Sequence, residues 1–257
     1  MKKIILRVLK SIAKKFDHKI IDNRNINIIE ANNTEKEFLN ISKKYSLTNI
    51  ERLWSLLNAI KYVKNFDVKG DFVECGVWRG GNLILFEMMR KSLNLKQTIF
   101  GYDTFSGMTN PTDNDMRISG NVMASKILNE QENKKYEGDN IWCFASLDEV
   151  KKNISDNVDL SNNIHLVKGP VEETLLIEDN LPKKISILRL DTDFYESTKI
   201  ELEILYPRLS ENGILIIDDY GCWSGAKKAV DEFFKNKKVI MHLIDEECRL
   251  IYKNHVN

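Results

Sequence analysis

The chain has 257 residues, of which 42% are hydrophobic, and this is enough to bury the core of a single α/β domain. Its 38 basic and 38 acidic side chains cancel to a formal charge of zero, which excludes an overall electrostatic attraction to nucleic acid. The four cysteines are far apart and form no CxxC pair. They predict neither a zinc site nor a disulfide framework, and they favour the reducing cytoplasm.

The first segment is basic and amphipathic, with seven Lys or Arg against one Asp in residues 1–19. Its longest apolar run, Ile4 to Leu6, is too short for a signal peptide or a membrane span. A solvated helix that docks on the domain or on another subunit is favoured, and peripheral membrane contact through residues 1–20 is the alternative. Because residues 21–45 are polar and lack a clear period, we expect a connecting segment there, with the main domain over residues 46–257.

After a predicted amphipathic helix from Asn49, strand-like and helix-like runs alternate to the end of the chain. Strands separated by helices are typical of a mostly parallel sheet with helices on both faces. The last two strands are joined only by DEEC, which is too short for a crossover, so they should pair antiparallel. The prediction is one doubly wound α/β domain with a seven-stranded sheet. Its strands are expected at DFVECGV, QTIFGYDTF, IHLVKG, ISILRLDTD, NGILIIDDY, VIMHLI and RLIYKN, with helical material from the end of QTIFGYDTF to about Asn153.

The first informative strand end is the sequence from Glu74 to Gly81, an acidic residue followed by GxxxGG as a strand turns into a helix. Its glycines would let the backbone approach a ligand closely. The spacing differs from the GxGxxG of dinucleotide sites, which favours a ligand without phosphates at the turn, such as S-adenosylmethionine. A tight turn with no ligand is the structural alternative.

The second informative strand end is Asp103, which lies 27 residues after Gly76. An acidic residue at the end of the second strand can accept hydrogen bonds from both hydroxyls of a ribose, so it indicates a nucleoside ligand. It does not distinguish an adenosyl group from a nicotinamide dinucleotide. The alternative is an Asp that caps nearby backbone N–H groups.

Two further strand ends carry paired acids: Asp191 with Asp193, and Asp218 with Asp219. If the first strand stays extended, Asp191 and Asp193 point to the same side of the sheet. If the two strands are neighbours, these carboxylates crowd one rim, and their repulsion requires raised pKa values or a bound cation. All-oxygen ligands favour Mg²⁺, with Mn²⁺ and Ca²⁺ as alternatives, and the absence of His or Cys from the motif argues against zinc.

The structural alternative for these polar residues is a role in helix starts. Asp193 could serve in a turn, and Thr198 with Glu201 has the spacing of a capping box. Two acidic pairs at consecutive strand ends favour the metal site.

Together, the motifs VECGVWRGG, YDTFSGM, RLDTDFYEST, LYPRL and IDDYGCWSGAKKAVDEF closely resemble the macrocin O-methyltransferase family over about Leu47 to Phe234. The resemblance implies a class I methyltransferase with a Rossmann-like fold, S-adenosylmethionine as cofactor, a bound Mg²⁺, a small-molecule sugar acceptor and a homo-oligomer. It implies Asp191, Asp218 and Asp219 as metal ligands, Asp191 and Asp193 as the catalytic carboxylates, and Asp193 as the general base. The implied cofactor residues are Thr48, Glu74, Cys75, Gly76, Val77, Trp78, Asp103, Thr104, Phe105, Ser106, Gly107 and Ser146. Residues 108–120 resemble the lid-like insertion that shapes the acceptor pocket.

The resulting hypothesis is that Mg²⁺ lowers the pKa of an acceptor hydroxyl while Asp193 removes its proton and the oxygen attacks the sulfonium methyl. Three alternatives stay open. An NAD-dependent oxidoreductase would need the phosphate-binding glycine turn that this sequence lacks. A non-catalytic glycan-binding protein would leave the clustered acids without a role. A methyltransferase acting on a catechol or another vicinal diol would use the same chelation by adjacent hydroxyls.

Overall fold

The computed structural model of the chain describes residues 28–160 and 163–254. The chain divides into a short unit that ends at Lys36 and a large unit that begins at Glu37. The basic segment predicted over residues 1–20 lies outside the described residues. None of the helices within the described ranges combines the length and the apolar character needed to cross a membrane.

Helices and strands alternate along most of the large unit. The helices are α1 Asn33–Lys43, α2 Ile50–Asn65, α3 Gly81–Ser92, α4 Ala124–Glu130, α5 Leu147–Asn157, α6 Val171–Thr174, α7 Tyr195–Ile204 and α8 Ser224–Phe234. The strands are β1 Asp71–Cys75, β2 Ile99–Asp103, β3 Met116–Arg117, β4 Val122–Met123, β5 Ile164–Lys168, β6 Ile185–Leu190, β7 Leu209–Ile217, β8 Met241–Leu243 and β9 Arg249–Tyr252.

The main sheet has seven strands in the order β5-β2-β1-β6-β7-β9-β8. The strands from β5 to β7 are parallel, and β9 pairs antiparallel with both β7 and β8. The predicted seven-stranded, mostly parallel sheet with an antiparallel C-terminal strand is therefore confirmed. Because β6 and β7 are neighbours, the two acidic pairs do leave the sheet side by side.

Helices cover both faces of this sheet. Helices α6, α7 and α8 pack on one face around a core that includes Val73, Leu188 and Leu215. Helices α2 and α3 pack against each other, and they contact β6 and β1. Strand β6 is buried along its whole length, so a polar side chain on it must find its partners inside the protein.

Two local predictions were wrong. Residues 33–43 of the expected connecting segment form α1, because Asn32 and Glu35 build a capping box in which each side chain accepts the other's backbone N–H at 2.9 Å. Between β2 and α5, the expected helical material is mostly loop with a β3–β4 hairpin, and only α4 is an α-helix there. Gly107, Pro111 and Gly120 interrupt that stretch and oppose a continuous helix.

Candidate active site

A cavity of about 380 Å³ opens at the carboxyl ends of β1, β2, β6 and β7. This is the edge at which doubly wound sheets bind their ligands. Its walls come from the turn after β1, the loop after β2, the β3–β4 hairpin and the loops after β6 and β7. The cavity therefore joins all four strand ends that the sequence singled out.

The turn between β1 and α3 depends on Gly76. Its φ is +84°, a region that favours glycine, and a Cβ there would lie 1.9 Å from the carbonyl oxygen of Asp191. The backbone of β1 thus approaches the backbone after β6 more closely than any side chain would allow. Glycine at this position brings the turn and the acidic loop to one wall of the cavity.

Asp103 fixes the turn from the neighbouring strand. Its Oδ2 accepts the backbone N–H groups of Val77 at 2.7 Å and Trp78 at 3.0 Å, and its Oδ1 accepts that of Phe105 at 2.7 Å. The capping role considered for this residue is thus present. Asp103 also lines the cavity, and burial raises its pKa in spite of these bonds. Trp78 also lines the cavity, and its indole N–H is buried without a hydrogen-bond partner among the described residues.

Asp191, Asp218 and Asp219 form the acidic cluster. Each offers an oxygen within 4.8 Å of the others. The backbone N–H of Asp193 donates to Asp219 at 3.1 Å, and this bond places Asp193 beside the cluster. The expectation of an extended strand through Asp193 was wrong: β6 ends at Leu190, and Asp193 has a φ of +68°. The chain reverses here, and the hydrogen bond to Asp219 holds the turned backbone.

Arg189, on β6, connects the cluster to the rest of the sheet. Its side chain is only 1% exposed, and it donates to Glu74 at 2.8 Å, to Asp191 at 2.7 Å and to Asp218 at 2.6 Å. It also reaches the hydroxyl of Thr48 at 3.1 Å. One guanidinium therefore sets the spacing of carboxylates from β1, β6 and β7.

A second arginine, Arg52 at the start of α2, also binds the acidic cluster. It donates to Asp218 at 2.5 Å, to Asp245 at 2.6 Å and to Glu247 at 2.6 Å. Helix α2 is thereby tied to the loop between β8 and β9 and to the acidic cluster in one network.

Even with both arginines, negative charge is in excess at this rim. Burial and neighbouring carboxylates raise the pKa values of Asp191 and Asp219 well above their usual range, despite the counter-effect of Arg189 on Asp191. Burial raises the pKa of Asp193 to about 6. A cation would relieve this repulsion.

The donor set fits a hard divalent ion. It consists of carboxylate oxygens alone, as Mg²⁺, Mn²⁺ and Ca²⁺ prefer. Both oxygens of Asp218 already accept an arginine N–H, but each carboxylate oxygen keeps a second lone pair. The arginines therefore orient Asp218 without excluding it as a ligand.

The sequence of the chain matches a known protein family. A profile of the macrocin-O-methyltransferase family (TylF) matches residues 7–253. The chain belongs to the macrocin-O-methyltransferase family. Its fold is the Rossmann-like α/β fold of class I methyltransferases, and it is an O-methyltransferase that uses S-adenosylmethionine, as predicted.

Individual relatives agree with the family. The chain is 30% identical to the demethyldecarbamoylnovobiocin O-methyltransferase of Streptomyces niveus over 191 residues, which cover 74% of this chain and 67% of the relative. It is also 30% identical to the 8-demethyl-8-(2,3-dimethoxy-alpha-L-rhamnosyl)-tetracenomycin-C 4'-O-methyltransferase of Streptomyces olivaceus over 181 residues, which cover 70% and 64%. The structure of the O-methyltransferase NovP superposes with a TM-score of 0.70 at 26% identity and covers 82% of this chain and 83% of that one.

Most of the residues that the sequence assigned to this macrocin-O-methyltransferase site line the cavity. They are Thr48, Gly76, Val77, Trp78, Asp103, Thr104, Gly107, Asp191, Asp193, Asp218 and Asp219.

The other predicted cofactor residues are not part of the lining: Glu74, Cys75, Phe105, Ser106 and Ser146. Glu74 lies behind the wall and binds Arg189 and Asn82, and burial raises its pKa to about 7. Ser146 caps α5 by accepting the N–H of Glu149 at 3.2 Å.

Sequence reasoning missed several lining residues: Arg52, Asn82, Arg117, Cys143 and Trp223. Asn82 donates to Glu74 at 2.8 Å, and its own side-chain oxygen is buried without a partner among the described residues. The available signal was the asparagine directly after the GG pair, at the start of α3. Trp223 lies within the motif IDDYGCWSGAKKAVDEF and Arg117 within the lid-like residues 108–120, but neither segment shows which of its side chains faces the cavity. No short motif marks Arg52 or Cys143, whose positions depend on the folded sheet.

Proposed function

We propose that this member of the macrocin-O-methyltransferase family transfers the methyl group of S-adenosylmethionine to a hydroxyl of a sugar carried by a small molecule, with the assistance of Mg²⁺. The observation that carries the proposal is the convergence, in one cavity, of the Gly76 turn, Asp103 and the acidic cluster. A nucleoside site and a carboxylate site that share a wall suit a reaction between a nucleoside-borne methyl group and a chelating hydroxyl.

A sugar acceptor is supported by the relatives. The Streptomyces olivaceus enzyme is named for a rhamnosyl compound, and a glycosyl hydroxyl with a neighbouring oxygen is a good ligand for a hard ion. The volume of the cavity is within the range that accommodates small ligands.

Within this proposal, each wall has a separate task. The backbone around Gly76 and Trp78, together with Asp103, would hold the cofactor. The carboxylates of Asp191, Asp218 and Asp219 would hold Mg²⁺, which when bound lowers the pKa of a nearby hydroxyl and neutralises the cluster. The negative rim also favours the cationic sulfonium of the donor over its neutral product.

Asp193 would act as the general base. Burial raises its pKa to about 6, which brings a carboxylate close to the working pH and makes it a better proton acceptor than an exposed Asp. When bound, the cofactor would supply the methyl group to the acceptor oxygen and leave as S-adenosylhomocysteine, and the Asp193 carboxylate would take up the proton of the acceptor hydroxyl. A positioned base contributes about 10² to 10⁴-fold, and holding the two reactants in line contributes about 7 to 11 kcal/mol, so positioning dominates.

Calorimetry with S-adenosylhomocysteine tests the proposal most directly. The full chain is titrated with the ligand alone, then with Mg²⁺, and then with Mg²⁺ after excess chelator. We expect S-adenosylhomocysteine to bind, and we expect a separate heat of Mg²⁺ binding that the chelator abolishes. The heat of Mg²⁺ binding should be lost in the double variant Asp218→Asn, Asp219→Asn. Glu211→Gln, an exposed acidic position outside the cavity, is the matched control. Binding of Mg²⁺ that is unaffected by the double substitution would refute the ion site.

We also propose that the protein acts in the cytoplasm as a homo-oligomer. The four free thiols suit a reducing compartment. An oligomer is supported by exposed apolar side chains around the sheet edge at β8, where Ile240 is 69% exposed, Leu243 67% and nearby Phe66 68%. Light scattering on Leu243→Glu, against Leu176→Glu as the control, should show a smaller species for the first variant only.

The proposed peripheral membrane contact concerns residues 1–20 and is tested separately. Liposomes with anionic headgroups are sedimented with the full chain and with a chain that lacks residues 1–20. Loss of co-sedimentation on truncation supports the contact, and equal behaviour of both chains rejects it.

A further inference from the structure

Arg117 has an environment unlike that of Arg52 and Arg189, the two arginines that bind the acidic cluster. Arg52 and Arg189 each donate hydrogen bonds to several carboxylates. Arg117 also lines the cavity, but among the described residues its guanidinium has neither an ion pair nor a side-chain hydrogen bond. A half-buried guanidinium with unused donors beside a ligand cavity is ready to bind an anion.

The position of Arg117 is fixed by its backbone. It belongs to strand β3, which pairs with β4, and it also forms an antiparallel bridge with Trp223. The next residue, Ile118, donates its N–H to the carbonyl of Cys222 at 2.9 Å. The hairpin is thus attached to the loop that directly follows the acidic pair of β7.

The side chain is supported as well. The guanidinium carbon lies 5.6 Å from the ring centroid of Trp223, whose side chain is 1% exposed and packs edge-on against Phe194 at 5.6 Å. This cation–π contact positions the guanidinium without using its N–H groups, which stay available to a ligand. This arrangement matches the geometry by which arginine binds a carboxylate or a phosphate with two parallel hydrogen bonds.

Arg117 also lies near the reacting centre. Its charge acts on Asp193, the proposed base, without forming an ion pair with it. An acceptor whose hydroxyl faces Asp193 therefore has its neighbouring substituents within reach of Arg117. Thr109, which lines the same cavity, adds a hydroxyl that suits a charged or hydroxylated ligand.

We infer that Arg117 selects an acceptor sugar that carries an anionic group, a phosphate or a carboxylate, close to the hydroxyl that is methylated. The inference rests on the proposed function and specifies its acceptor class. The excess of carboxylates at the rim would otherwise repel any anion. Arg117 offsets this repulsion by attracting the anion, because no carboxylate of the described residues is bonded to its guanidinium and its charge is not already neutralised.

Calorimetry on the full chain, saturated with S-adenosylhomocysteine and Mg²⁺, tests this with three probes that share a pyranose ring: methyl glucoside, glucuronate and UDP-glucose. The first is neutral, the second carries a carboxylate and the third a diphosphate. We expect one anionic probe to bind at least about 10-fold more tightly than methyl glucoside, and the stronger of the two identifies the anion. In Arg117→Gln this preference should fall by about 10- to 100-fold, and Arg117→Lys should restore part of it because it keeps the charge but loses the fork.

Arg208→Gln is the matched control, because it removes the same charge from an arginine outside the cavity that pairs with Glu178. It should leave the affinity of all three probes unchanged. Equal binding of the neutral and anionic probes, or an anion preference that survives in Arg117→Gln, overturns the inference. Binding of S-adenosylhomocysteine in the same samples reports on the proposed function separately: if it binds and no anion preference is seen, only the acceptor assignment fails.

Discussion

The Nη2 of Arg189, on β6, lies 2.6 Å from the Oδ1 of Asp218, which directly follows the neighbouring strand β7. The two side chains are only 1% and 5% exposed. The pair belongs to a larger network, since the same guanidinium binds Glu74 and Asp191. Charges this deeply buried are costly unless each is compensated, so the arginine and the carboxylates depend on each other. The residues that hold the proposed ion site therefore also contribute to the stability of the sheet.

Replacing Arg189 should destabilise the fold strongly. Arg189→Gln removes the positive charge and leaves buried carboxylates without a partner, which typically costs about 3 to 5 kcal/mol in the free energy of unfolding. Urea unfolding measures this loss. Arg208→Gln, which breaks an ion pair with a largely exposed Glu178, is the control and should cost about 1 kcal/mol or less. Equal losses in the two variants would show that the buried network does not stabilise the protein.

Gly76→Ala should disrupt both the turn and the acidic loop. The new Cβ would meet the Asp191 carbonyl at 1.9 Å, and the backbone could not yield easily because the N–H of Asp191 donates to Cys75 at 2.9 Å. We expect lost binding of S-adenosylhomocysteine and of Mg²⁺ together, as followed by calorimetry. Gly138→Ala is the matched control: its φ is also positive, +58°, but nothing lies within 4 Å of its Cβ. It should cost only about 1 to 2 kcal/mol of conformational strain and leave both ligands bound.

The sheet and the acidic rim could be predicted because both depend on local patterns. Strand-like runs separated by helix-like runs specify a parallel sheet, and the carboxyl ends of its strands must meet at one edge. The prediction that Asp191 and Asp218 share one rim required their strands to be neighbours, a condition that β6 and β7 meet. The turn at Gly76 was equally visible, since a glycine-rich sequence between a strand and a helix marks a close backbone approach.

The remaining parts depend on tertiary contacts. Arg189 is the only charged residue of β6, and its role becomes visible only from its partners, Glu74 on β1 and Asp218 directly after β7. Arg52 donates a hydrogen bond to Asp245, which lies 193 residues away along the chain. The capping box considered as an alternative at Thr198 does not form, because α7 begins at Tyr195 and Glu201 instead accepts the hydroxyl of Thr192 at 3.0 Å. Residue spacing alone did not distinguish a cap from a buried contact.

Asp193→Asn and Asp218→Asn should affect different steps. An asparagine at position 193 cannot take up the proton of the acceptor hydroxyl. Turnover should therefore fall by about 10² to 10⁴-fold while S-adenosylhomocysteine binds normally. At position 218 the loss of a charged oxygen should weaken Mg²⁺ binding by at least about 10-fold. Single-turnover assays and metal titrations on both variants separate the two effects. Full turnover in Asp193→Asn would remove the assignment of the general base.

Acid should weaken the attachment of α2 to the β8–β9 loop through Asp245. Partial burial alone would raise the pKa of Asp245, but hydrogen bonds from Arg52 at 2.6 Å, the N–H of Cys248 at 2.7 Å and Asn49 outweigh it and hold the pKa at about 2. A folded-state pKa below the unfolded value means that the stabilisation is complete above about pH 4 and is lost as the pH falls towards 2. The free energy of unfolding should therefore decline over this window, as measured by urea titration at several pH values.

Asp245→Asn should be less stable at pH 5 and show a shallower decline, whereas Asp179→Asn, at an exposed position, should follow the wild type. If Asp245→Asn declines as steeply as the unsubstituted chain, the acid sensitivity arises from other carboxylates.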